Sequence, residues 1–261
     1  MDRQLLLLST GCFLAAVVRT VVAMRARHFQ RSRFNLAMIL LGFGLQTGFL
    51  TLRGHVVGRC PITNLFEVLI FLAWSIALIY LLVGPAYRLS LMGAFTAPLV
   101  FAVQIIALVT PIDVRRVTRT NPNAWLEFHA SISIIAYGAF ALACVAGVMY
   151  LVQERQLKTR ALHSIFYQLP PLPNLFAAMT RLLWLGFALY TAGLASGFFT
   201  GEPLPHLKIA LAVIIWLIYG AILQGRYLHA VAPRRIAAWC VAAFAAALSL
   251  LWSIEFATRH A

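Results

Sequence analysis

Eight runs of apolar residues follow one another along the chain, each about as long as a bilayer is thick, and they leave little room for anything else to fold. The runs are Leu5 to Ala23, Phe34 to Leu52, Leu65 to Val83, Leu89 to Thr110, Trp125 to Val152, Leu182 to Phe199, Leu207 to Leu223 and Ile236 to Phe256. About 20 apolar residues in a helix cross the hydrocarbon core. Inside lipid a run of this kind must satisfy its own backbone groups, which a helix does. The expectation is an all-α polytopic membrane protein of eight transmembrane helices, forming one integral membrane domain over residues 1–261. With 62% of residues hydrophobic and 11% charged, no sizeable aqueous domain fits beside the spans.

The formal charge of +14 is read first as topology. In the odd-numbered connections stand Arg19, Arg25, Arg27, Arg31, Arg33, Arg88, Arg155, Lys158, Arg160, Arg181, Arg226, Arg234 and Arg235, thirteen of the 21 basic residues. The positive-inside rule makes those connections cytoplasmic and puts both termini on the periplasmic side of a bacterial inner membrane. Trp125 and Trp252 near outer ends, with Trp184 and Trp239 near inner ends, suit interfacial anchors. No basic excess remains that calls for nucleic acid. The apolar run from Leu5 follows Asp2 beside Arg3, has no small-residue cleavage pattern after it and precedes the basic cluster, so it reads as a retained first helix. The four cysteines, Cys12, Cys60, Cys144 and Cys240, form no CxxC pair and no CxxCH haem-attachment site.

Two connections are long. The inner one, Gln153 to Arg181, contains Leu169-Pro-Pro-Leu-Pro173 and is expected to be a stiff strap, because proline removes backbone donors and restricts its predecessor. The outer one, Pro111 to Ala124, sets Arg115, Arg116 and Arg119 against Asp113 alone. No internal repeat is visible.

Few residues carry chemistry. Asn64 and Glu67 at the start of the third run have capping-box spacing, so Glu67 reads as a structural cap or as a functional intramembrane carboxylate. His129, Ser133 and Tyr137 recur every four residues and share one helix face. A neutral imidazole there suits haem iron, and it equally suits a buried histidine hydrogen-bonded to a neighbouring helix. His206 and His55, placed in outer connections, are the candidate second axial ligands, His206 preferred. Arg115, Arg116 and Arg119 are candidate contacts for haem propionates, or simply solvated. His28, His163 and His229 lie among arginines and read as surface residues. No nucleophile or metal constellation marks an enzyme.

Two stretches resemble a known family. Cys60-Pro-Ile-Thr-Asn-Leu-Phe-Glu67 with the apolar run to Trp74 is similar to the Pro-x-Ser/Thr-Asn-x-Tyr/Phe-Glu motif of the CcsA/HemX-like cytochrome c assembly proteins, and Glu127 to Ser133 with Tyr137 resembles their histidine-bearing helix. Leu169 to Pro173 running into Trp184-Leu-Gly-Phe and Leu194-Ala-Ser-Gly197 looks more like the HemX-like branch, and Trp216-Leu-Ile-Tyr219 resembles the family's seventh span. The chain departs from the CcsA pattern in four places. Phe198 to Pro205 has no tryptophan-rich signature, Gln224 stands where a histidine is usual, Trp252-Ser-Ile-Glu255 has no outer histidine, and Arg59-Cys60 replaces a Gly-His pair.

The resemblance implies a haem-interacting accessory protein of cytochrome c biogenesis that binds haem b, and the departures leave full haem export and synthetase activity open. Its implied partners are haem, the bilayer and other cytochrome c maturation membrane proteins. The alternative is a haem-free scaffold or small transporter, for which Gln46, Gln104 and Tyr137 are the intramembrane polar groups.

Overall fold

The structure is a computed structural model that describes residues 2–25, 33–84, 92–109, 123–159, 171–201, 206–228 and 231–260. The described residues form eight helices and no strand: α1 Asp2–Arg25, α2 Arg33–Val57, α3 Leu65–Val83, α4 Met92–Val109, α5 Ala124–Thr159, α6 Leu172–Gly197, α7 His206–Tyr227 and α8 Pro233–His260. Seven of these, α1 to α7, are long and apolar enough to cross a membrane. The sequence of α8 is uncharged from Ile236 to Trp252. The chain is therefore an all-α polytopic membrane protein. Its lipid-facing surfaces carry large apolar side chains, among them Leu7, Leu8, Leu40, Ile214 and Leu217, each more than two-fifths exposed.

Most helix edges fall within about four residues of the sequence expectation, and three differ by more. α2 runs on to Val57, so His55 lies in its last turn rather than in a loop. α5 continues through the expected start of the inner strap, to Thr159. α6 begins ten residues early, at Leu172, because Pro173 falls in the first turn, where a missing N–H costs nothing and the fixed φ favours the helix. Arg181 consequently lies within α6. The rest of the expected strap, residues 160–170, lies outside the described residues.

The helices form two compact four-helix units, α1 to α4 and α5 to α8. In the first, α1 packs on α2 and α4, and α3 packs on α2 and α4. Helices in lipid gain little from hydrophobic burial, so close approach at small residues and interhelical hydrogen bonds hold them. The Phe13 ring lies on Gly42, where a Cβ would come within 2.8 Å of it. Ser9 Oγ donates to the Gly42 carbonyl at 2.9 Å, Asn35 Nδ2 to Thr20 Oγ1 at 2.8 Å, and Trp74 Nε1 to Thr47 Oγ1 at 2.9 Å.

The start of α3 explains the motif around Glu67. Asn64 is the N-cap, and its side chain accepts from the Glu67 N–H at 2.8 Å. The Glu67 carboxylate is 1% exposed and turns back to accept from Thr63 N–H at 2.9 Å and Thr63 Oγ1 at 2.7 Å. Arg53, near the end of α2, donates to its other oxygen at 3.0 Å. The capping reading of Glu67 holds, and the ion pair adds a tie between α2 and α3. Charge-assisted hydrogen bonds to a buried carboxylate are costly to strand. We expect Glu67→Ala to destabilise the protein by about 3 kcal/mol, read as a lowered unfolding midpoint in detergent.

Candidate functional site

The second unit is organised by the antiparallel pair α5 and α6. Three glycines of α6 face α5. A Cβ on Gly186 would lie 2.6 Å from the Phe140 ring, one on Gly193 2.7 Å from Ser133 Oγ, and one on Gly197 3.2 Å from His129 Cε1. Each step of four or seven residues along α5 is matched by an equal step back along α6. The seam continues at Gly147, whose Cβ position is 3.4 Å from Met179 Sδ. Seven-residue spacing is the repeat that keeps two helices facing one another. Small residues four apart let backbones approach closely in lipid.

This close approach places His129. Its Nδ1 is 2.7 Å from the Gly193 carbonyl oxygen. A carbonyl only accepts, so Nδ1 carries the hydrogen and Nε2 of the neutral ring keeps its lone pair. The reading of His129 as a histidine hydrogen-bonded to a neighbouring helix is realised at Nδ1, and the other ring nitrogen has no hydrogen-bond partner among the described residues. Ser133 Oγ donates to the His129 carbonyl at 2.7 Å. Tyr137 is buried, with its ring edge-on to Tyr190 and Phe140.

His129 lines a cavity of about 680 Å³. Its walls are the outer part of α6 (Thr191, Leu194, Ala195, Gly197 and Phe198, with Gly201 beyond) and one face of α7 (Ile209, Ala212, Val213 and Trp216). A cavity of this size falls within the ~300–1,000 Å³ typical of cofactor and small-molecule sites. The polar side-chain atoms of the wall are few and mostly occupied. Trp216 Nε1 donates to Thr191 Oγ1 at 2.9 Å, and Thr191 Oγ1 donates to the Phe187 carbonyl at 2.7 Å. Among the described wall residues, the imidazole of His129 is the one side chain with a basic ring nitrogen, set in a largely apolar wall.

α7 is held to the pair by three further contacts. Trp216 stacks on Phe187 at 5.4 Å, Tyr219 stacks on Phe140 at 3.7 Å, and Tyr190 OH donates to the Ala212 carbonyl at 3.3 Å. Near the cavity, the N-cap Asn123 of α5 accepts from the Trp125 N–H and donates to the Thr200 carbonyl at 2.7 Å. The Trp125 and Phe199 rings lie 5.3 Å apart.

The remaining sequence candidates fall differently. His206 is the first residue of α7 and exposed, one turn before Ile209 on the stripe that continues through Val213 and Trp216, and it is not itself a wall residue. His55 is exposed and belongs to the first unit. Arg115, Arg116 and Arg119 lie outside the described residues, as do His28, His163 and His229. Among the described residues no three His, Cys, Asp or Glu side chains gather as a metal site. The sequence reading missed Gly193 and Thr191, and named Gly197 only within a family-like stretch, not as a helix contact. The Gly193-x-x-x-Gly197 spacing was the available signal.

The model of the family described as "Cytochrome C assembly protein" matches residues 62–258, most of the chain. The chain belongs to the cytochrome c assembly protein family. Among curated relatives of this cytochrome c assembly family member, protein HemX of Brevibacillus brevis is 26% identical over 156 residues, 59% of this chain and 57% of that protein. The cytochrome c biogenesis protein CcsA of Chlorella vulgaris is 31% identical over 157 residues, 57% of this chain and 50% of that protein. A CcsA of Synechococcus sp. (strain JA-2-3B'a(2-13)) is 34% identical over 133 residues, 48% of this chain and 37% of that protein. The chain thus spans about half the length of the first two.

The seam of this family member makes a direct prediction. Gly186→Ala is expected to destabilise by about 1–3 kcal/mol through overpacking against Phe140. Gly44→Ala, with nothing within 4 Å of the added Cβ, is expected to be neutral or slightly stabilising. Unfolding midpoints in detergent check the pair.

Proposed function

We propose that the protein is a haem-interacting accessory factor of cytochrome c biogenesis in a bacterial inner membrane, with both termini periplasmic and residues 1–261 acting as one membrane domain. The observation that carries this reading is His129: its Nδ1 is bound to the Gly193 carbonyl, and its Nε2 keeps a free lone pair in a wall otherwise built of apolar groups. A backbone hydrogen bond at one ring nitrogen fixes the tautomer and the ring orientation, which is how metal-ligating histidines are held. The family match and the relatives, cytochrome c biogenesis proteins among them, support the pathway.

Haem is the cargo in this reading, and the residues fit it. The macrocycle is a flat apolar body, and the cavity offers Phe198, Trp216 and aliphatic side chains to its faces. With no CxxCH in the chain, the cargo is non-covalent haem b. His129 would ligate the haem iron, with His206, one turn from the wall, as the preferred second ligand. Ser133 and Tyr137 support the helix face that carries His129. Arg115, Arg116 and Arg119 are the proposed propionate contacts. The protein binds and presents, and partner maturation proteins carry out any reaction.

One observation favours the alternative of a haem-free scaffold or small transporter. In the first unit Gln46, near the middle of α2, is fully buried with neither amide atom hydrogen-bonded among the described residues, and Gln104 Nε2 reaches Ser9 Oγ and the Leu6 carbonyl at 3.4 Å. Buried polar groups within spans are functional candidates by default. The two readings separate by substitution.

Purified protein titrated with haem is expected to give a Soret band that is weakened in His129→Ala and unchanged in Gln46→Leu. In His206→Ala the haem is expected to shift from low to high spin as a ligand is lost. Absence of any haem binding by the native protein would sink the haem reading, and loss of binding in Gln46→Leu would move the site to the first unit.

A further inference from the structure

The far end of the second unit holds a feature that the haem reading does not use. Between the end of α5 and the start of α8 lies a pocket of about 490 Å³ lined by Leu151, Glu154, Arg155, Lys158, Arg234 and Ala238. Three cations face one carboxylate. Glu154 is shared, with Lys158 Nζ at 2.6 Å from Oε1 and Arg234 Nε at 3.7 Å from Oε2. Among the described residues of the lining, Glu154 is shared by Lys158 and Arg234 and cannot neutralise both, so the lining carries a net positive charge.

The start of α8 sharpens that excess. A helix N-terminus is the positive end of its dipole and favours acidic residues in the first turn. α8 has none there and carries Arg234 and Arg235 instead. Like charges stacked on the positive end of a helix repel it, and an anion seated among them removes the repulsion. The depth is also defined. Trp239, next to the wall residue Ala238, is 46% exposed, and exposed tryptophans of membrane helices sit at headgroup level. A cationic pocket between spans at that depth is placed for a phosphate that arrives attached to acyl chains.

We infer that the pocket between α5 and α8 binds the phosphate of an anionic phospholipid headgroup, with Arg155, Lys158 and Arg234 as its contacts and Glu154 as the group that limits its affinity. The phosphodiester accepts charge-assisted hydrogen bonds from the two guanidinium groups and the ammonium. Glu154 holds Lys158 and Arg234 in place at the expense of part of their charge. Each cation near a membrane surface contributes about a fivefold gain in affinity for anionic lipid.

The test uses the full chain in detergent with equal concentrations of phosphatidylglycerol and phosphatidylcholine, and native mass spectrometry to count the lipids retained. The expected result is one phosphatidylglycerol held in preference to phosphatidylcholine. The combined variant Arg155→Gln, Lys158→Gln, Arg234→Gln is expected to bring that preference near parity, and Glu154→Gln to raise it about fivefold. The gain in Glu154→Gln cannot come from misfolding. Arg33→Gln, an exposed cation at the start of α2, is expected to leave the preference unchanged, which separates a site from diffuse surface charge. Parity in the native protein overturns the inference, as does an unchanged preference in both pocket variants. Displacement of the lipid by an equal concentration of inorganic phosphate overturns the lipid as the source of the anion.

Discussion

The close antiparallel approach of α5 and α6 is the constraint from which the second unit is built. Glycines at 186, 193 and 197 remove the side chains that would hold the helices apart, and Phe140, Ser133 and His129 occupy the space. The energy available for this comes from packing and hydrogen bonds, because lipid tails are as apolar as the helices they would cover. The hydrogen bond from His129 to the Gly193 carbonyl exists only at that distance. An alanine at 197 would push on the same ring that the bond orients, and one at 193 would push on Ser133, one turn further along α5. Position of the helix, choice of tautomer and availability of Nε2 are thus one physical fact seen at three scales. α7 then completes the wall through Trp216, which donates to Thr191, the one hydroxyl among the described wall residues.

The first unit shows a different use of the same chemistry. Its family-like motif, Pro61 to Glu67, is occupied in folding: Asn64 caps α3, Thr63 and Arg53 hold the carboxylate, and nothing of Glu67 is left over. A motif that resembles a family and a residue that performs its function are separate things. In this chain the motif nearest the family pattern is a cap, while the histidine further along keeps a lone pair to spare.

Much of this was legible in the sequence because the bilayer imposes length and composition on every span. The eight apolar runs predicted all eight helices, and the third was placed to the residue, Leu65–Val83. The spacing of His129, Ser133 and Tyr137 put them on one face. The start of α6 was missed because hydropathy falls in Pro173 and Asn174, although proline in a first turn is compatible with helix. His55 was misplaced for a similar reason, since Arg53 lowers the hydropathy of the last turns of α2 while its ion pair with Glu67 stabilises them. Cavity walls were least legible. Nothing in local periodicity says that Trp216 will meet Thr191, because that pairing depends on which helices become neighbours. The charge count also gained resolution: Arg53 is a structural tie, and Arg155, Lys158 and Arg234 gather around one glutamate, so the basic excess is distributed by local geometry as well as by topology.

The central claim is that Nε2 of His129 is the ligand atom of a haem site, and chemical rescue tests it at that atom. His129→Gly opens a space for free imidazole beside the Gly193 carbonyl. The account predicts that haem titration of His129→Gly, followed by absorbance, shows weakened binding that added imidazole restores, with the native spectrum. Binding in His129→Gly as tight as in the native protein, with a spectrum indifferent to imidazole, would contradict it.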